Sequence, residues 1–126
     1  MLNLNKPAGV TSRDVVDRVG RVLRGAKLGH AGTLDPLATG VLVVGVGAAT
    51  RLIEFVQRMP KTYRTILRMG MRSDTLDADG RVEEVDQPYR PCASEIEAVL
   101  ATQVGLVEQQ PPEFSALKIQ GARASS

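Results

Sequence analysis

Apolar residues in this chain follow short patterns that change period several times. Leu2 and Leu4 alternate with Asn3 and Asn5, which predicts a short strand over "MLNLNK". "KPAGVTS" then reads as a turn. In "TSRDVVDRVGRVLRG" the residues Val15, Val16, Val19, Val22 and Leu23 recur at helical spacing. Thr11 with Asp14 three residues on resembles a capping box, and Gly25 is placed to end that helix. Residues 25–40 are rich in Gly, Pro and Thr and read as a loop with little regular structure. "VLVVGVG", Val41 to Gly47, is β-branched enough for a short buried strand. "ATRLIEFVQRM" predicts a helix with Leu52, Ile53 and Val56 inside. "KTYRTILRMG" alternates Tyr63, Thr65, Leu67 and Met69, which predicts a strand. "RSDTLDADG" is an acidic turn and "RVEEV" the returning strand of a hairpin. "CASEIEAVLATQVG" predicts a further helix, with Ser94 and Glu97 as its capping box and Ile96, Val99, Leu100 and Val104 on one face. "QQPPEFSALKIQG" is a loop leading into another strand. Helices mixed with hairpin-type strands predict an α+β domain with a mixed, largely antiparallel sheet flanked by helices.

Composition narrows the classes. At 126 residues, one domain is the default expectation. No Trp and only two Tyr and two Phe are present, so the core must be aliphatic and any functional aromatic comes from a short list. One Cys excludes an internal disulfide, and with a single His the ligands for a metal centre are lacking. No metal centre is expected. No apolar run approaches the roughly 20 residues of a membrane span. "MLNLNKPAG" lacks the order of a signal peptide, and a reducing cytoplasm is the simplest location. The net charge is only +2, yet the positive residues crowd the first half: Lys6, Arg13, Arg18, Arg21, Arg24, Lys27, Arg51, Arg58 and Lys61 face four acids there. That asymmetry is compatible with phosphate contacts, but charge alone favours an ordinary solvated helix face.

Two short patterns carry little. "SALK", Ser115 to Lys118, fits a serine–x–x–lysine pattern but lacks its partner motifs. "GVGAAT", Gly45 to Thr50, sits between a strand and a helix like a phosphate cradle, but its third glycine is missing.

"GHAGTLDPLATG", residues 29–40, is more specific. His30 alone reads as a packed histidine, and Asp35 alone as a turn residue, since Asp-Pro opens turns. The whole stretch resembles the signature loop of the TruB family of tRNA pseudouridine synthases. The resemblance continues in "NKPAGVTS", in "KTYR", in "RSDTLDADG" and in "FSALKIQGAR", in the family's order and over nearly the whole chain.

What the resemblance implies is concrete. Asp35 would be the catalytic carboxylate of a cofactor-free isomerisation in which the C1′–N1 bond of an RNA uridine breaks and C1′ rejoins at C5. A carboxylate suits this either as nucleophile or as base, and the two remain open. The substrate would be the T-arm uridine at tRNA position 55, flipped out of its stack. His30 would brace the space left behind and Tyr63 would stack on the flipped base. Without the resemblance, Tyr63 reads as a strand core residue. Gly32 and Thr33 would lie against RNA. Gly29, Gly32 and Gly40 would allow close approach and positive φ. Lys6 would be structural or phosphate-facing, Lys118 and Arg123 would contact phosphate, and Asp77 and Asp79 would organise their turn. The protein is expected to be a monomer whose macromolecular partner is tRNA, with no membrane association.

The resemblance also has gaps. The family's later Gly-Thr-Tyr-Ile-Arg segment, whose arginine pairs with the catalytic aspartate, has no counterpart in these 126 residues. Neither has the C-terminal PUA domain. Residues 1–126 are therefore expected to be a truncated, partial catalytic domain, inactive on tRNA by itself and with at most weak, salt-sensitive RNA binding. A catalytically inactive RNA-binding remnant is the competing expectation, with a product lacking a stable fold as a third.

Overall fold

The computed structural model describes residues 1–75, 77–86 and 88–108, together with the backbone of 118–119 and 122–123. The chain forms two compact units, Met1–Arg64 and Thr65–Ser126. The architecture is α+β, and every strand pairing described is antiparallel.

The first unit is a three-stranded sheet in the order β1-β3-β2. Its strands are β1 (Leu2–Lys6), β2 (Leu28–His30) and β3 (Gly40–Val46). Helix α1 (Ser12–Val22) packs on one face. Thr11 caps it as expected: its hydroxyl accepts from the Asp14 N–H, and the Asp14 carboxylate accepts from the Thr11 N–H at 2.8 Å. The Thr11 hydroxyl holds the exposed Asp14 carboxyl below its ordinary range. Val15 and Val16 turn inward against Leu42 and Val44, with Leu2, Leu4, Val10 and Leu28 around them. β3 lies in the middle because it is the most apolar strand, and Val44 at its centre is fully buried.

The opposite face explains two glycines. Gly29 of β2 pairs directly with Gly45 of β3, so both lack a side chain at the same place. A Cβ at Gly29 would stand 2.8 Å from Ile53 Cδ1, and one at Gly45 would stand 3.2 Å from that atom and 3.1 Å from the Ala49 carbonyl oxygen. The pair forms a seat for Ile53, the first residue of α2 (Ile53–Gln57). Gly45 in "GVGAAT" is therefore a packing glycine. The chain leaves β3 through a 3₁₀ turn, Gly47–Leu52, so the expected single helix over residues 49–59 is split in two. That turn is tight because the Ala49 and Thr50 backbone lies over Gly45 and the Thr50 hydroxyl bonds the Gly47 carbonyl at 2.8 Å.

Two expectations need correction here. Residues 25–40 are not all loop, because β2 lies within them. One leucine between Lys27 and Gly29 carries no alternating signal; pairing with β3 makes the strand. The strand expected in "KTYRTILRMG" does not form: residues 61–68 have no regular structure, and Tyr63, Ile66 and Leu67 are exposed. Among the described residues no strand pairs with them, and an extended segment without a neighbour leaves its backbone groups to solvent.

In the second unit β4 (Met71–Ser73) pairs with β5 (Val82–Glu84); the returning strand is the expected one, but its partner falls at the start of the segment expected to be an acidic turn and not within residues 61–70. Its acidic turn is organised by side chains, as Asp77 accepts from the Thr75 hydroxyl at 2.6 Å and from the Asp79 N–H at 2.9 Å. The first of these bonds chiefly lowers the Asp77 pKa. Asp74 accepts from the Arg81 N–H at 2.8 Å. β6 (Lys118–Ile119) pairs with β7 (Ala122–Arg123). Most of the "SALK" segment and the loop leading to it lie outside the described residues.

Helix α3 (Ala93–Ala101) starts two residues earlier than Ser94 and Glu97 would place it. Cys92 is its N-cap, and Glu95 accepts from the Cys92 N–H at 2.8 Å and from the Tyr89 hydroxyl. The Tyr89 bond first, then the Cys92 N–H and thiol, pull the Glu95 carboxyl down to about 2 from 4.5. A depressed folded pKa stabilises above the unfolded value and is lost on acidification. The α3 cap is therefore expected to hold down to pH 4.5 and to fray as pH falls from there toward 2. Backbone amide exchange at the first turn of α3, followed through that window, checks it. Unchanged protection down to pH 2 would show that the cap contributes nothing.

Candidate active site

The loop between β2 and β3 carries the candidate catalytic residue, and its backbone is fastened on both sides of that residue. Before Asp35, the Ser12 hydroxyl accepts from the Leu34 N–H at 2.9 Å and donates to the Leu34 carbonyl at 3.2 Å. After it, the Pro36 carbonyl accepts from the Gly9 N–H at 2.8 Å and from Lys6 Nζ at 3.1 Å. Lys6 Nζ also donates to the Ala38 carbonyl at 2.6 Å and to the Pro7 carbonyl at 3.0 Å. Within the loop the Ala38 N–H closes a turn onto the Asp35 carbonyl at 3.0 Å. The turn "KPAG" thus works as a clamp. Gly9, at φ 79°, supplies the backbone conformation that points its N–H at Pro36.

The Asp35 side chain is exposed, and among the described residues it forms no hydrogen bond and no ion pair. A carboxylate on a pinned backbone, with no partner among the described residues, is available to a group outside the chain.

The other sequence-derived site residues divide. His30 is the last residue of β2, and the registers Leu2↔Val44 and His30↔Val44 set these three in one row across the sheet. Its ring turns down the loop, and Nδ1–H donates to the Gly32 carbonyl, which ties Gly32 to the strand end. The Ala31 N–H extends the ladder by one bond to Val43 at 2.9 Å. Thr33 is exposed beside Asp35. For Lys6, read as structural or phosphate-facing, the structure favours the structural alternative. It is completely buried and its ammonium is spent on three carbonyls, so in this structure it holds the loop from beneath. Of Gly29, Gly32 and Gly40, only Gly40 takes a positive φ, 117°; Gly29 serves packing, and a Cβ at Gly32 would meet open space. Tyr63 is 69% exposed, which excludes the core role its strand-like pattern suggests. For Lys118 and Arg123 only backbone is described, paired with each other. Ser12 was missed as a site residue, although it closes "NKPAGVTS", and its 3% exposure marks it as more than a helix-start serine.

A short strand pair presenting one exposed aspartate on a clamped Gly-rich loop is a candidate catalytic site, and the sequence around it can be compared with known proteins. The description "TruB family pseudouridylate synthase (N terminal domain)" matches residues 20–126, and the chain belongs to that family. It is 47% identical over 123 residues to the tRNA pseudouridine synthase B of Cereibacter sphaeroides, covering 98% of this chain and 40% of that protein. It is 46% identical over 123 residues to the protein of the same name from Aquifex aeolicus, covering 98% of this chain and 42% of the relative. The chain thus spans about two fifths of the length of these relatives. Among the described residues no helix is long and apolar enough to cross a membrane.

Proposed function

We propose that these residues form the catalytic-loop part of a cytoplasmic, monomeric tRNA pseudouridine synthase, which isomerises the T-arm uridine at tRNA position 55 without metal or cofactor. The observation that carries this is the clamped loop: Asp35 is exposed and has no partner among the described residues, while Leu34 and Pro36 on either side are fixed. Catalysis by a positioned carboxylate gains most when the group is held before substrate arrives. A carboxylate so held serves attack on the sugar or removal of its proton.

Other residues take supporting parts in this reading. His30 and Gly32 form the edge beside the carboxylate, where a flipped nucleotide leaves its stack. Exposed Tyr63 offers a ring face to the base, and Thr33 a hydroxyl to the RNA. Lys118 and Arg123 contact phosphate. Completion of the site draws on the sequence that makes up the rest of the relatives' length.

The test uses residues 1–126 joined to the remaining C-terminal part of the Aquifex aeolicus relative. This fusion is expected to form pseudouridine in T-arm RNA, while the 126 residues alone form none and bind RNA weakly, with an affinity that falls steeply as salt rises. No product from the fusion, in a folded state, overturns the reading. In the same fusion Tyr63→Phe is expected to keep RNA affinity and Tyr63→Ala to weaken it by about 1–3 kcal/mol, because stacking uses the ring and not the hydroxyl. Equal affinity of all three forms would remove Tyr63 from the binding surface.

A further inference from the structure

We infer that Ser12 is a positioning residue for Asp35, coupling the start of helix α1 to the catalytic carboxylate. The inference deepens the proposed isomerase reading and rests on it. Helix α1 does not need the Ser12 hydroxyl, because Thr11 and Asp14 already cap it reciprocally. Ser12 instead spends both its donor and its acceptor on one residue, Leu34, which directly precedes Asp35. It is 3% exposed, so water does not stand in readily when the hydroxyl is lost.

The geometry makes the pair a short substitute for strand pairing. One hydroxyl satisfies the N–H and C=O of a loop residue that pairs with no strand among the described residues. The next fixed point is the Pro36 carbonyl, held by Gly9 and Lys6. Asp35 is therefore the single residue between two anchors, and it keeps its place only while both hold. Loss of the Leu34 anchor lets the Asp35 backbone turn about Pro36 while the clamp at Lys6 and the hydrophobic face of α1 stay intact. The expected signature is lost turnover with RNA affinity and stability largely kept.

Two measurements on Ser12→Ala and Ser12→Thr test this. In the 126-residue chain, Ser12→Ala is expected to speed amide exchange at Leu34 by at least about tenfold and to lower the order of the Asp35 amide, with the central Val44 amide unchanged. Ser12→Thr, which keeps the hydroxyl, restores both. In the fusion, Ser12→Ala is expected to lower kcat by roughly 10- to 100-fold with KM for T-arm RNA unchanged, as a displaced catalytic group would, and Ser12→Thr to recover most of it. Unchanged Leu34 exchange, or faster exchange at Val44 and Leu34 together, overturns the positioning role. So does a rise in KM at constant kcat. A fusion without turnover in its unsubstituted form refutes the isomerase reading instead, and the exchange measurement then decides the anchor by itself.

Discussion

Asp35→Asn, in the fusion with the Aquifex aeolicus C-terminal part, is expected to lose isomerisation by at least about 10³-fold, the scale a positioned acid–base or nucleophilic group supplies. The substitution keeps the size of the side chain and removes its charge and basicity. Asn is a poor nucleophile and a poor base, so either role for the carboxylate fails. T-arm affinity is expected to stay within about tenfold, because phosphate and sugar contacts, not the reacting group, dominate RNA affinity. Stability should change by less than about 0.5 kcal/mol, the usual range for a surface position without partners. That last expectation follows from the structure, in which the exposed carboxylate bonds to none of the described residues. Pseudouridine released on nuclease digestion, RNA titration and a urea midpoint measure the three quantities. Turnover by the Asn form at a tenth of the wild-type rate would remove Asp35 from the chemistry.

Lys6→Met is expected to show the opposite profile, with a large loss of stability. Met matches the aliphatic stem and removes the ammonium. Two effects compete. Removing a buried charge relieves its desolvation, yet the Pro7 and Ala38 carbonyls lose a donor in partly buried bonds, while Pro36 keeps Gly9. Unsatisfied acceptors cost about 1–3 kcal/mol each, and charged donors make the stronger bonds, so the loss wins by about 2–3 kcal/mol. In a unit this small that lowers Tm by roughly 10 °C or more. The urea midpoint is expected to fall without a change in slope, and the Ala38 amide, which closes the turn onto Asp35, to exchange faster. An unchanged midpoint would mean that the three carbonyls find other donors, and the clamp would lose its physical basis. An activity loss in this variant with full stability would instead return Lys6 to the RNA surface.

The amphipathic spacing of Val15 and Val16 and the Thr11–Asp14 box determined helix α1, because both signals are local and survive in any context. β1, β3 and the returning strand β5 were legible for the same reason: alternation, a β-branched run and an Asp-Gly turn are short-range, whereas β4 fell where a turn was expected. The residues of the candidate site were legible too, since "GHAGTLDPLATG" holds the only histidine and a distinctive Asp-Pro. Tertiary structure decided how those residues are used. β2 exists because β3 offers it a ladder, and Gly29 with Gly45 exists to seat Ile53, a contact between segments far apart in the chain. Lys6 carries the same ambiguity as any lysine until its burial under the loop shows that its three donors face carbonyls and not phosphate. The strand pattern around Tyr63 failed for a related reason, because alternation prepares a strand but only a neighbouring strand completes one. The local code names the aspartate. The decision to hold it still, through Ser12 on one side and Lys6 with Gly9 on the other, rests on hydrogen bonds spanning 22 to 32 residues, a distance at which sequence spacing carries no geometry.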